Sequence, residues 1–312
     1  MAENICPQCG ARNNVTARFC NECGTPLLSG PGAPSGPARL SQPQVTIGSI
    51  LEGRYRIEHE LGRGGFGAVY KAWDLRLSKA VAVKENLDAS VEAQRQFTRE
   101  ATVLANLSHQ NLPRVIDHFT LNGMGQYLVM DFVDGEDLNS LVGRQGMAET
   151  LPALSWIGQV AEALVYLHGQ RPPILHRDIK PANIRITPQG RAMLVDFGLV
   201  KTSEGTTSTT VGARAITPGY APPEQYGMGH TDVRTDLYAL GATLYTLLTG
   251  REPPESVQRM TGKMLTPASQ LNPRVPERLS RAIEQVMSLD PNQRYQSAGE
   301  LLAELHANLV GM

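Results

Sequence analysis

Cysteine is scarce in this chain, four residues out of 312, and all four fall within the first 23 positions. No apolar run is long enough to span a bilayer and no secretory leader is recognisable, which argues against a membrane protein and for a reducing, cytoplasmic setting. Surplus charge is lacking as well: 29 Lys and Arg against 30 Asp and Glu leave a formal net charge of −1, too little to draw the protein onto DNA or an anionic membrane. Internal repeats, coiled-coil heptads and lipidation signals are missing, which excludes solenoids, long coiled coils and lipid anchors. With 41% hydrophobic and 19% charged residues, the length suits one small module tethered to one large globular domain.

The cysteines form Cys6-Pro7-Gln8-Cys9-Gly10 and Cys20-Asn21-Glu22-Cys23-Gly24, two C-x-x-C pairs with ten residues between them. Four thiolates at this spacing suit tetrahedral Zn²⁺, and the glycine after each pair permits a turn that points backbone N–H groups at the sulfurs. Disulfides are the structural alternative. Residues 1–25 resemble a bacterial zinc ribbon. So short a module buries too little apolar surface to fold alone, so the metal would supply folding free energy on the order of 10 kcal/mol. Arg12 and Arg18 stand against Glu3 and Glu22, and the thiolates add further negative charge. A phosphate-binding surface should be basic, so nucleic acid is not the expected partner. Docking of a protein partner or thiol-based redox sensing is expected, with a purely structural appendage as the alternative. Residues 26–50 are rich in Pro, Gly and Ser and read as a flexible or polyproline-like tether.

The most informative run is Leu175-His176-Arg177-Asp178-Ile179-Lys180-Pro181-Ala182-Asn183, with Asp196-Phe197-Gly198 beginning thirteen residues after Asn183. Either triplet, H-R-D or D-F-G, is a weak signal alone. Together, in this order and at this distance, they are equipment for phosphoryl transfer: a carboxylate to orient an attacking hydroxyl, two oxygen ligands for a divalent ion, and a lysine for phosphate charge. Upstream, Leu61-Gly62-Arg63-Gly64-Gly65-Phe66-Gly67-Ala68-Val69-Tyr70 carries G-x-G-x-x-G spacing. A dinucleotide-binding turn would open a helix after the third glycine. Here Ala68-Val69-Tyr70 and Ala80-Val81-Ala82-Val83-Lys84 are β-type runs instead, so the glycines belong to a hairpin. Phe97, Glu100, Ala101, Leu104 and Leu107 recur at helical steps, which turns the Glu100 carboxylate toward the core, where it needs a cation.

These motifs, from about Arg54 to about Leu309, resemble the eukaryotic-type protein kinases of the serine/threonine branch. The resemblance implies an α+β, two-lobed fold over residues 51–312, with a small β-rich lobe over about 51–132 and a helical lobe over about 136–310. It implies Mg-ATP (or Mn²⁺) as phosphoryl donor and protein Ser/Thr hydroxyls as acceptors. Asp178 would serve the hydroxyl, Lys180 the transferred phosphate, and Asn183 and Asp196 the metal. Gly62, Gly64, Gly67, Val69 and Ala82 would enclose the nucleotide, and Lys84, held by Glu100, would contact its phosphates. The Asp131 carbonyl and the Val133 N–H would bind adenine, with Met130 limiting the depth of the pocket. Lys180 and Thr217 favour Ser/Thr over Tyr. Thr206, Thr207, Ser208, Thr209, Thr210 and Thr217 lie in a hydroxyl-rich activation segment and are the expected regulatory residues, with a phosphate on the segment pairing with Arg177. Pro222 replaces the usual alanine of the A-P-E motif, Glu224 would pair with Arg294, and Asp236 would anchor the catalytic loop. A kinase-shaped scaffold without catalysis usually lacks one of the polar residues named here, and none is missing.

Overall fold

The computed structural model describes residues 4–5, 12–13, 45–64, 67–86, 88, 90–121, 124–196 and 216–310. The chain divides into two units, residues 1–44 and 45–312. In the first, β1 (Asn4–Ile5) pairs antiparallel with β2 (Arg12–Asn13), placing Ile5 opposite Arg12. Cys6, Cys9, Cys20 and Cys23, as well as residues 26–44 of the tether, lie outside the described residues.

The second unit opens with a six-stranded antiparallel sheet built from β3 (Ile50–Leu51), β4 (Tyr55–Gly64), β5 (Gly67–Asp74), β6 (Lys79–Asn86), β7 (Val115–Leu121) and β8 (Gly125–Asp131), in the order β3-β4-β5-β6-β8-β7. Strand alternation is visible in β5, where Ala68, Tyr70, Ala72 and Asp74 are buried while the residues between them are only partly so. Val45 packs under this sheet, and Gly48 N–H donates to the Ile57 carbonyl at 2.8 Å. Residues 45–50 therefore belong to the folded unit, a correction to the tether boundary at residue 50. The Pro/Gly/Ser bias of the preceding residues 26–44 masked the change to Val45-Thr46-Ile47, where the apolar anchor begins.

Between β6 and β7 runs α1 (Val91–Ala105), capped by Ser90, whose Oγ accepts from Ala93 N–H at 3.2 Å. Its inner stripe of Phe97, Glu100, Ala101 and Leu104 is buried, as its periodicity requires. The rest of the unit is mainly helical, α2 (Leu138–Gln145), α3 (Thr150–His168), α4 (Val233–Thr249), α5 (Ser256–Met260), α6 (Ala268–Leu271), α7 (Glu277–Val286) and α8 (Ala298–Val310), with a small sheet of β9 (Glu136–Asp137), β10 (Ile184–Ile186) and β11 (Ala192–Leu194) in the order β11-β10-β9. Helix α4 is buried all round from Thr235 to Thr249, the pattern of a central core helix. Its Gly241 lets α7 approach closely: a Cβ there would stand 2.2 Å from Val286 Cγ1. Among the described residues no helix is long and apolar enough to cross a membrane.

The sheet is tied at its far edge by Asp74, which is fully buried. Arg54 grips it with two bonds, Nε to Oδ1 at 3.0 Å and Nη2 to Oδ2 at 2.7 Å, and the N–H groups of Arg76 and Leu77 add two more. Arg54 is the main cause that draws the Asp74 carboxyl down to about 2, against the opposing effect of burial. A carboxyl depressed on folding stabilises the protein above its unfolded value and loses that contribution as pH falls. The expected contribution is about 2 kcal/mol, roughly half of it gone by pH 3. Urea midpoints from pH 6 to 3 should therefore fall less steeply for Asp74→Asn than for the parent protein; parallel slopes would contradict this account.

Candidate active site

Asp236 sits in the first turn of α4 with no solvent exposure. Its carboxylate accepts the backbone N–H of His176 at 2.9 Å and of Arg177 at 2.8 Å, and meets His168 Nε2 at 3.0 Å. Burial alone would push this carboxyl up; His168, His176 and the Arg177 N–H together hold it below its ordinary range. The loop after Leu175 is thus fixed by its backbone, leaving its side chains for chemistry. Arg177 adopts φ +65°, a left-handed conformation costly for a side chain of this size. The His176 ring is fully buried, which lowers its proton affinity against the pull of Asp236, Asp178 and Asp196.

Around Asp178 three polar side chains meet. Thr217 Oγ donates to Asp178 Oδ1 at 2.9 Å, Lys180 Nζ stands 2.9 Å from Asp178 Oδ2 and 2.9 Å from Thr217 Oγ, and Asn183 Nδ2 donates to Asp178 Oδ2 at 2.9 Å and to its carbonyl at 2.8 Å. Turning its amide nitrogen to Asp178 leaves the Asn183 Oδ1 at the opposite end of the group, an oxygen suited to a hard cation. Asn183 ends a short 3₁₀ turn, Pro181–Asn183, which runs straight into β10.

Asp196, also in the left-handed region with φ +56°, lies 2.5 Å from Lys84 Nζ through its Oδ1. Burial raises its proton affinity, but Lys84, His176 and Lys180 more than offset this and leave the carboxyl below its ordinary range. The influence of Lys180 on Asp196 ties this pair to the Asp178 cluster. Lys84 reaches it from β6, whose alternation sets one face apart: Val69 lies opposite Lys84, Ala82 opposite Met130, and Lys84 opposite Leu128. Between this face and α1 is a small pocket, partly open to solvent, lined by Lys84, Phe97, Glu100, Leu104, Leu128 and Met130. Glu100 is 7% exposed and accepts from Gln96 Nε2 at 3.1 Å.

The glycines expected to cover phosphates do join two strands. Arg63 pairs with Ala68 and Gly64 with Gly67, so β4 and β5 close across residues 65 and 66. Asp131 ends β8, its carboxylate held by Lys79 at 2.8 Å and Arg114 at 3.0 Å. Val133 follows in the connection to β9, its carbonyl accepting from Arg185 Nε at 3.1 Å, while the Gly135 carbonyl also accepts from Arg185. Glu224 forms the expected ion pair with Arg294, at 2.7 and 3.0 Å. Thr206, Thr207, Ser208, Thr209 and Thr210 lie outside the described residues.

Sequence reasoning missed Arg185, and also Gln225, whose Nε2 donates to the Arg177 carbonyl at 2.8 Å. It passed over Glu85 as well, although an acid beside Lys84 in an alanine-valine strand had to face the opposite side of the sheet.

Residues 55–305 match the family model of the protein kinase domain, and residues 5–27 match that of a zinc-ribbon domain. A probable serine/threonine-protein kinase of Clostridium perfringens, CPE1738, is 35% identical over 269 residues, covering 83% of this chain and 39% of that protein. The serine/threonine-protein kinase PknA of Mycobacterium tuberculosis is 35% identical over 264 residues, 81% of this chain and 61% of PknA. The chain thus spans less than two thirds of the length of these relatives. The crystal structure of the Mycobacterium tuberculosis PknI kinase domain superposes with a TM-score of 0.66 at 26% identity, over 85% of this chain and 99% of that one. The chain belongs to the protein kinase family.

Asp236→Asn leaves one acceptor oxygen where two backbone N–H groups now bond. Loss of a hydrogen bond to a charged group is worth about 1.5–3 kcal/mol, so hydrogen exchange at the His176 and Arg177 amides should accelerate at least tenfold. Unchanged protection at both would refute the anchoring role.

Proposed function

We propose that this chain is a serine/threonine protein kinase that transfers the γ-phosphoryl group of ATP to Ser or Thr hydroxyls of protein substrates. The observation that carries the reading is the Asp178–Thr217–Lys180–Asn183 cluster coupled to the Lys84–Asp196 pair. Asp178, oriented by Thr217 and Asn183, accepts a hydrogen bond from the substrate hydroxyl and takes its proton as the P–O bond forms. Lys180, beside that carboxylate, neutralises charge on the transferred group. Lys84 positions the α- and β-phosphates, with Glu100 as its buried counter-charge. Asn183 and Asp196 would hold Mg²⁺ or Mn²⁺, which would supply positive charge to offset that of the phosphates. The base is held by the Asp131 carbonyl and the Val133 N–H over the face carrying Val69 and Ala82, and Gly62, Gly64 and Gly67 close over the phosphates.

Beside Asp178, the buried side chains of Ile179, Tyr220 and Ala221 pack under the reacting carboxylate. The preference for Ser/Thr rests on Lys180 and Thr217 and on the names of the relatives. Phosphate on one of Thr206, Thr207, Ser208, Thr209 or Thr210 would pair with Arg177 and order the activation segment. Thr217 is a positioning group more than a phosphate acceptor, because its hydroxyl is committed to Asp178. The four-cysteine module binds Zn²⁺ and serves as a protein-docking or redox-sensing input, tethered to the kinase.

Two experiments test this reading. Purified protein incubated with Mg-ATP should acquire phosphate on Ser and Thr, mapped by mass spectrometry. Asp178→Asn and Lys84→Ala should slow this at least 100-fold; equal phosphate on all three proteins would defeat the assignment. Metal analysis should find about one zinc per chain, lost in the Cys9→Ser/Cys20→Ser variant, and retention of that zinc would overturn the ligand set.

A further inference from the structure

Strand β6 carries two charged neighbours whose side chains leave opposite faces of the sheet. Lys84 pairs with Val69 and Leu128 on the face toward α1, whereas Glu85 pairs with Ala68 and Tyr127 on the other. That other face is an apolar layer of Val45, Tyr55, Ile57, Ala68, Tyr70, Val83, Tyr127 and Val129. A carboxylate there, 3% exposed, must find donors within the layer. It finds two tyrosine hydroxyls: Tyr127 Oη donates to Glu85 Oε1 at 3.0 Å and Tyr70 Oη to Oε2 at 2.9 Å. Burial, then Glu85, push the Tyr70 hydroxyl up to about 12, and burial also raises that of Tyr127, so both remain donors at any physiological pH.

Having donated its proton, Tyr70 Oη accepts from Arg63 Nη2 at 2.9 Å. Arg63 stands between Gly62 and Gly64 on the β4 arm of the glycine hairpin, and Glu60 Oε2 holds the same guanidinium nitrogen at 2.6 Å. The β5 arm meets the same residue by its backbone: a Cβ on Gly67 would lie 2.0 Å from the Glu85 carbonyl oxygen, so no larger residue fits there without moving the strand. The side-chain relay from the β4 arm and the pairing of the β5 arm with β6, where Gly67 leaves no room for a Cβ, thus tie both arms of the hairpin to the strand that carries Glu85.

We propose that Glu85, acting through Tyr70 and Arg63, is a positioning residue that holds the glycine hairpin at the height needed to cover the phosphates of the nucleotide. This rests on the kinase reading of the cleft, since it assigns phosphates to the space under the hairpin. The relay touches no reacting atom. It restricts a turn whose glycines would otherwise sample many conformations.

The test separates phosphate from base. Tyr70→Phe keeps the packed ring and deletes the shared hydroxyl, and Glu85→Gln keeps one acceptor oxygen. Mg-ATP and adenosine are titrated calorimetrically against the full chain and both variants, with urea midpoints measured alongside. Mg-ATP affinity should fall about tenfold in Tyr70→Phe and less in Glu85→Gln, while adenosine affinity stays within twofold. Equal losses for both ligands would reduce the relay to a structural role, and unchanged Mg-ATP affinity in both variants would overturn the proposal. A parent protein that binds neither ligand would instead count against the kinase reading itself.

Discussion

The Asp236 carboxylate has no water around it, and the loop that carries Asp178 stands in for that water. An ionised group in such a place is tolerated only where donors converge on it, and here two of them are consecutive backbone amides. The constraint runs both ways. The helix cannot bury its acid without the loop, and the loop keeps Arg177 at φ +65° because leaving that shape would strand the charge. A second buried acid repeats the device one turn of chain away. Glu224 is held by Arg294 and by Thr235 Oγ1 at 3.0 Å, and Thr235 directly precedes Asp236. Gln225, next to Glu224, then reaches the Arg177 carbonyl. The first turn of α4 therefore fastens both segments that must meet at Asp178: the catalytic loop, and the stretch that delivers Thr217.

The same logic organises the small lobe. In β6 a two-residue period sends Lys84 toward the cleft and Glu85 into the apolar layer, so one strand supplies the cation paired with Asp196 and a buried acid behind it. Lys84 faces the cleft, paired with Asp196 and lining the same pocket as Glu100. Glu85 is satisfied by two hydroxyls that have no solvent to compete for them. Precision at the cleft is inherited from this buried layer and from the bidentate grip of Arg54 on Asp74 at the edge of the sheet.

Much of the fold and most of the candidate site could be read from the chain because phosphoryl transfer demands particular functional groups at short, fixed spacing. Asp178, Lys180 and Asn183 lie within six positions, and the inner stripe of α1 announces itself by its period. Partners separated by long stretches were harder. Arg185 meets Val133 across 52 positions and Gln225 meets Arg177 across 48, and nothing in the local pattern of an arginine in a short strand or a glutamine in a turn signals a backbone carbonyl as its target. The tether boundary failed for a different reason: composition averages over a window, and one buried valine decides where the folded unit begins. The four cysteines whose spacing suits zinc lie outside the described residues, as do Thr206 to Thr210.

The two units differ in what holds them. Residues 45–312 have an extensive apolar core, which runs from Phe97 and Leu104 of α1 through α3 and α4 to Leu305 of α8. That unit contains no cysteine, since all four lie at or before position 23. The N-terminal segment has the opposite economy, too short for a core and rich in thiols. Its folding would follow metal occupancy and thiolate oxidation state, because a structural zinc site loses its binding energy when its sulfurs are oxidised or protonated. A thiol-directed oxidant, or competition for a bound zinc, would therefore act on the N-terminal segment alone, because residues 45–312 offer no thiol to react.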